Sequence, residues 1–275
     1  MTAIGIISDL HIDRNQKALK KGETYDRLLS QIILEKQVEF LLIAGDVSNQ
    51  YEMTQDFLEK VQKLSGIPIY FVPGNHDYWV MKESSKSTRM IHQFYSQQQE
   101  SLIGNPRILN DEWALVGNPG WYDYGFADDE KFSEKDFQKK QYKFASWNDR
   151  HHVDWEQNDR KVSSDMLIQL KKDLHSVKDK KIILMTHVAT HSEFVMPLPH
   201  RLYDYANAFL GAKEYEGLYT EFRSIQYSIM GHVHFRKTFR DKGVTYIAAC
   251  LGLQRHWELK DAKKQIENTL VVISL

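Results

Sequence analysis

The stretch "FVPGNHDYW", Phe71 to Trp79, decides the fold. Its opening residues are aromatic and β-branched and read as the end of a buried strand. Pro73 and Gly74 then break it, and Asn75, His76 and Asp77 follow at once. An amide, an imidazole and a carboxylate in succession are metal-capable or proton-transferring groups, and they fall at a strand's carboxyl end. In open α/β sheets that end borders the crevice where ligands bind.

On either side of this stretch, short β-branched runs alternate with longer amphipathic ones, the pattern of βαβ units around a mostly parallel sheet. Strands are predicted at 3–8, 40–45, 68–73, 113–118, 181–186, 227–231, 244–249 and 270–274. Helices fit at about 22–37, 52–64, 84–101, 161–176 and 214–224. The segment 119–160 is polar, aromatic and irregular. It reads as an insertion or lid over one edge of a single domain spanning 1–275, and its aromatics argue against disorder.

Strand ends collect the chemistry. The first ends in "SDLHID", with Asp9 and His11 two apart and so able to face one side. The second ends in "AGDVSN" at Asp46, the run "KIILMT" ends at His187, and "YSIMGHVH" delivers His232 and His234. Each piece alone has an ordinary reading: a capped turn for D-x-H, a plain turn for GD, a tight hairpin for GHVH. Jointly they would leave many polar groups buried at strand ends, each costing about 1–3 kcal/mol without a partner. Metal ions are the economical partner. Asp9, His11, Asp46, Asn75, His187, His232 and His234 are too many ligands for one four-coordinate zinc, so two ions are expected. Nitrogen and oxygen ligation without thiolate suits Mn, Fe, Zn, Co or Ni.

The ordered set D-x-H, GD, GNHD, H and GHxH, spread over residues 9–234, resembles the calcineurin-like metallophosphoesterase superfamily. The resemblance implies a four-layer αββα sandwich with a dinuclear site at the strand carboxyl ends. It implies one metal on Asp9, His11 and His234, the other on Asn75, His187 and His232, and Asp46 bridging. It also implies that His76 contacts phosphate and protonates the leaving oxygen, with Asp77 orienting His76. Hydrolysis would then proceed by in-line attack of a metal-bridging hydroxide on phosphorus. The second motif, "GDVSNQY", lacks the arginine of protein phosphatases and dinucleoside tetraphosphatases, and GNHD stands where protein phosphatases have GNHE. What remains resembles the bacterial cytosolic branch that includes class III cyclic-nucleotide phosphodiesterases. The expected partner is a small phosphorylated substrate, with a nucleotide among the candidates.

Other residues carry weaker expectations. Tyr78 and Trp79 stack on a nucleobase or simply pack under the insertion. Trp121, Tyr122 and Tyr124 shape a substrate pocket or hold the lid. Arg255 or His256 meets a phosphate oxygen, while His191 reads as a surface residue and His151 and His152 as solvated. The formal charge of −1, from 36 basic and 37 acidic residues, provides no field for a nucleic-acid backbone and disfavours nucleic acid as a partner. A nuclease on single-stranded RNA or DNA, or a non-catalytic protein-binding scaffold, stays as an alternative. Cys250, the single cysteine, reads as a buried inert thiol. No long apolar segment and no basic leader is visible, so neither a membrane partner nor export is expected, and a cytoplasmic location is.

Overall fold

Strands that look alike in sequence separate into two sheets in the computed structural model, which describes residues 2–81, 84, 86–143 and 145–275. The strands are β1 (Ala3–Ile7), β2 (Phe40–Ile43), β3 (Ile69–Phe71), β4 (Arg107–Ile108), β5 (Trp113–Gly117), β6 (Gln141–Tyr142), β7 (Ala145–Ser146), β8 (Lys181–Met185), β9 (Ile225–Met230), β10 (Arg236–Asp241), β11 (Val244–Ala249) and β12 (Val271–Ser274). The helices are α1 (Tyr25–Glu35), α2 (Tyr51–Ser65), α3 (Thr88–Ser96), α4 (Glu134–Gln138), α5 (Asp159–Ser176), α6 (Tyr203–Ala206), α7 (Leu218–Glu221) and α8 (Ala262–Thr269).

One large sheet runs β12-β1-β2-β3 and the other β10-β11-β9-β8-β5-β4, while β6 and β7 form a small separate antiparallel ribbon. The inner strands are parallel, and β12, β10 and β4 close the edges antiparallel. Successive side chains on a strand point to opposite faces, so a strand covered on both sides is apolar throughout. In β2, Leu42 enters the layer between the sheets, while Leu41 and Ile43 meet α1 and α2. In β8, Ile183 and Met185 enter the same middle layer, while Ile182 and Leu184 pack outward with Leu170 and Leu174 of α5. The result is the expected αββα sandwich. Ser8 pairs with Cys250 in parallel just past β1 and β11, so the carboxyl ends of both sheets open onto one region.

Several elements differ from the sequence expectation. Ser87 caps α3 through a hydrogen bond from the Met90 N–H, so the helix predicted over 84–101 is confined to Thr88–Ser96; residue 85 of that span lies outside the described residues. The helix predicted at 214–224 is a 3₁₀ turn, Lys213–Gly217, followed by α7. Within 119–160, Trp121, Tyr122 and Tyr124 are at most 2% exposed and belong to the core. Trp121 Nε1 donates to Asp159 at 2.7 Å and the Tyr124 hydroxyl donates to the same carboxylate, so these rings pack rather than line an open pocket. Tyr78 is likewise fully buried, which excludes it from stacking on a ligand. Among the described residues no helix is long and apolar enough to cross a membrane.

Candidate metal centre

Each strand end delivers its polar residue through a turn that only this packing holds in place. Asp9 and His11 follow β1, Asp46 follows β2, Asn75 follows β3, His187 follows β8, and His232 and His234 follow β9. Asp9, His11, Asp46, His232 and His234 all sit at positive φ, between 42° and 72°. Left-handed backbone is uncommon for residues with a Cβ and concentrates at functional sites, where surrounding structure must over-determine it. Hydrogen bonds supply that restraint: Asp9 N–H to the Gly45 carbonyl at 2.9 Å and His11 N–H to the Asp46 carbonyl at 3.0 Å. Gly74 is required for space, because a Cβ there would lie 2.2 Å from Asp46 Oδ1.

The side chains form two groups that share one carboxylate: Asp9, His11, Asp46 and His234, and then Asp46, His187 and His232. His11 Nε2 lies 3.0 Å from His234 Nε2, which is 3.4 Å from Asp9 Oδ1. Across the site, Asn75 Oδ1 is 3.1 Å from His187 Nε2 and 2.9 Å from His232 Nδ1. Asp46 faces both groups, with Oδ1 3.4 Å from His187 Nε2 and Oδ2 3.7 Å from His11 Nε2. Outer partners fix the rings. His187 Nδ1 donates to the Ala44 carbonyl and His232 Nε2 to that of Phe209, each at 2.8 Å, which leaves His187 Nε2 and His232 Nδ1 as lone pairs facing inward.

Electrostatics favours a cation here. Burial, then the neighbouring Asp9 and Asp77, pushes the Asp46 carboxyl well above its ordinary range. Burial holds His187 down to about 3 and keeps His11 well below the usual imidazole range, so both rings are neutral donors. Asp46 Oδ2 is buried without a hydrogen-bond partner among the described residues. Buried carboxylate oxygen and neutral imidazole nitrogen, converging in two groups, fit a pair of divalent ions.

His76 stands beside the shared carboxylate, its Nε2 4.0 Å from Asp46 Oδ2 and its backbone N–H donating to Asp46 Oδ1 at 2.9 Å. Asp77 does not orient that ring, contrary to the expectation. Its oxygens accept from the backbone N–H groups of Asp46, Val47, Ser48 and Gly74 and from the Thr54 hydroxyl, so it is consumed in joining two loops. Asn49 takes the orienting place, with Oδ1 2.7 Å from His76 Nδ1. Trp79 stacks on His76 with centroids 4.1 Å apart, and His152 stacks on Trp79 at the same distance, so His152 is not solvated as expected. His151 is exposed. His191 is directed elsewhere, 3.8 Å from Asp241. Arg255 and His256 are exposed and neighbour each other.

Three residues escaped the sequence reading. Asn49 lies just beyond the catalytic-looking GD, at a spacing with no signal of its own. Arg14 is exposed, has no ion-pair partner among the described residues, and its charge adds to the burial that mainly depresses His11, His76 and His234. Asp149 is 1% exposed and, from within the 119–160 segment, accepts a hydrogen bond from Asn75.

A mixed nitrogen and oxygen cluster at the carboxyl ends of two facing sheets defines a dinuclear metal-dependent phosphoric ester hydrolase. The family model for calcineurin-like phosphoesterases matches residues 2–236, and the chain belongs to that family. Among curated proteins no sequence matches it. Among solved structures it is similar to a phosphopantetheinyl hydrolase from Mycobacterium tuberculosis, at 16% identity and a TM-score of 0.74 over 99% of this chain and 95% of that one. It is also similar to the protein TT1561 of Thermus thermophilus, at 11% identity and a TM-score of 0.54 over 90% and 89%. At such identities the likeness is one of fold.

Proposed function

We propose that the chain hydrolyses a small phosphodiester or phosphomonoester, with Asp9, His11 and His234 on one ion, Asn75, His187 and His232 on the other, and Asp46 between them. The observation that carries this reading is the division of Asp46, one oxygen 3.4 Å from a histidine of one group and the other 3.7 Å from a histidine of the second. The donor set suits Mn, Fe, Zn, Co or Ni. Such a pair of ions, when bound, neutralises phosphate charge and acidifies water toward neutral pH.

The chain's own groups do the rest. Asn49 accepts from His76 Nδ1 and so aims Nε2 into the site, where a proton on Nε2 serves the leaving oxygen. Burial, then His234 and Arg14, holds His76 well below the usual imidazole range, and an incoming phosphate supplies the negative charge that favours its protonated form. The 119–160 insertion serves as the lid within one domain by covering the Asn75 side of the site with Asp149 and Trp147. A scaffold reading has less support, because every ligand position is filled.

The test compares wild type with Asp46→Asn for metal content and turnover. Substrates are bis-p-nitrophenyl phosphate, p-nitrophenyl phosphate, a cyclic nucleotide, a phosphopantetheinyl ester and a short single-stranded oligonucleotide. The cyclic nucleotide follows the motif resemblance and the phosphopantetheinyl ester the fold likeness. Expected is turnover of a small ester, reduced by at least about 10²-fold in Asp46→Asn. Activity of the variant within a few-fold of wild type at saturating metal removes Asp46 as the bridge. Turnover of the oligonucleotide alone points to a nuclease.

A further inference from the structure

We infer that Asp149, carried by the lid, is the positioning residue that turns the Asn75 oxygen toward the second ligand group, so that the order of residues 147–152 and the second ion are thermodynamically linked. The inference deepens the two-ion reading above and rests on it.

The side-chain amide of Asn75 has two ends of nearly equal shape and opposite chemistry. Only Oδ1 can ligate a cation; the NH₂ end would present hydrogens to it. Nothing in the covalent geometry of Asn75 selects between the two. Asp149 does, because a carboxylate offers acceptors only, and its Oδ1 takes Asn75 Nδ2 at 2.9 Å. With Nδ2 committed there, Oδ1 lies against His187 Nε2 and His232 Nδ1 at 3.1 and 2.9 Å.

Asp149 itself is held by three further donors from different parts of the chain. Trp79 Nε1 donates to Oδ1 at 2.8 Å, Trp147 Nε1 to Oδ2 at 2.8 Å, and the Tyr122 hydroxyl to Oδ2 at 3.4 Å. All four partners are N–H or O–H donors, so the carboxylate is fully used and shielded from water. Trp147 also stacks on Phe209, whose carbonyl fixes the His232 ring. The lid thus reaches the second group by two routes, through Asn75 and through His232. Whatever orders the lid aims Asn75, and by reciprocity whatever occupies the second group orders the lid.

Manganese titration calorimetry on the full chain tests this in wild type, Asp149→Ala, Trp147→Phe, Asn75→Ala and the double variant Asp149→Ala/Asn75→Ala. Loss of such an outer partner typically weakens metal binding about 10–100-fold. That loss is expected in Asp149→Ala at one ion only, with the other unchanged. Trp147→Phe removes a donor to Asp149 without freeing the amide and is expected to stay within about threefold of wild type. The double variant is expected to bind no more weakly than Asn75→Ala, because the two substitutions break one interaction. Hydrogen exchange across 147–152 in wild type is expected to slow when the second ion binds and not when the first does.

Equal affinities in wild type and Asp149→Ala, equal losses in Asp149→Ala and Trp147→Phe, or additive losses in the double variant each overturn the inference. If Asp149→Ala does not fold, the wild-type exchange decides: no slowing on the second ion overturns it. A wild type that takes two ions and gives any of these results defeats only the role of Asp149. A wild type that never takes a second ion defeats the two-ion reading as well.

Discussion

At the level of single residues, adjacent side chains of "GNHD" have been given unrelated tasks. Asn75 faces the second ligand group, His76 stands over the shared carboxylate, and Asp77 points away into backbone amides. If His76 supplies the leaving-group proton and holds no ion, His76→Ala keeps both ions and loses about 10²–10⁴ in rate on esters with poor leaving groups. The loss shrinks for p-nitrophenolate, which departs without protonation. Metal content and rates on an activated and an unactivated ester check this; a variant that loses an ion, or slows on both esters alike, takes His76 out of that role. The convergence of Asp9, His11, Asp46, Asn75, His187, His232 and His234 on one region was legible because metal-capable residue types at strand ends are conspicuous in any sequence. The direction of Asp77 was not, since a carboxylate beside an imidazole in sequence need not be its neighbour in space. Asn49 and Asp149 were invisible for a related reason: an outer partner can come from any segment that folding brings near.

Elements were legible in proportion to their apolarity. The buried strands of both sheets are mostly apolar runs, and the sequence places them within two residues at each end. β10, "RKTFRD", is an edge strand with a solvated face, and α8, "AKKQIENT", buries only a narrow stripe, so neither stood out. That the strands divide into two sheets cannot be read from periodicity, because a strand covered by a helix and one covered by another sheet look alike. The turns after β2 and β3 are joined by Asp77, which accepts from four backbone N–H groups and the Thr54 hydroxyl. Each buried donor left unpaired costs about 1–3 kcal/mol, so Asp77→Ala is expected to lower stability by at least about 3 kcal/mol. At about 2–4 °C per kcal/mol for a chain of this size, the melting temperature falls by roughly 6–12 °C. Calorimetric melting with and without metal checks it; a variant that melts like wild type but turns over slowly would return Asp77 to a catalytic role.

For the whole molecule, the site works against the stability of the fold that carries it. Five of the candidate residues lie in left-handed backbone, and Asp9, Asp46 and Asp77 are buried together with no Lys or Arg paired to them among the described residues. The sandwich over-determines these positions, while bound ions offset the charge and stabilise the native state by mass action. Chelation is therefore expected to lower the melting temperature, and added manganese to restore it. Asp46→Asn is the sharper case, because its effect changes sign with metal. Without metal, the substitution removes a carboxyl whose ionised form is disfavoured by burial and by the neighbouring Asp9 and Asp77. It keeps an oxygen for the His76 N–H and places an NH₂ near His11 Nε2 and His76 Nε2, which lie 3.7 and 4.0 Å from the present oxygen. The metal-free variant is therefore expected to be more stable than metal-free wild type by about 1–2 kcal/mol, or roughly 2–8 °C. With metal the order reverses if Asp46 bridges as proposed, since the variant has then lost the charge shared by both ions. Melting curves of the two proteins in chelator and in excess manganese give all four values. If the metal-free variant melts below metal-free wild type, Asp46 contributes to the fold in its own right, and the cost of the site has been placed on the wrong residue.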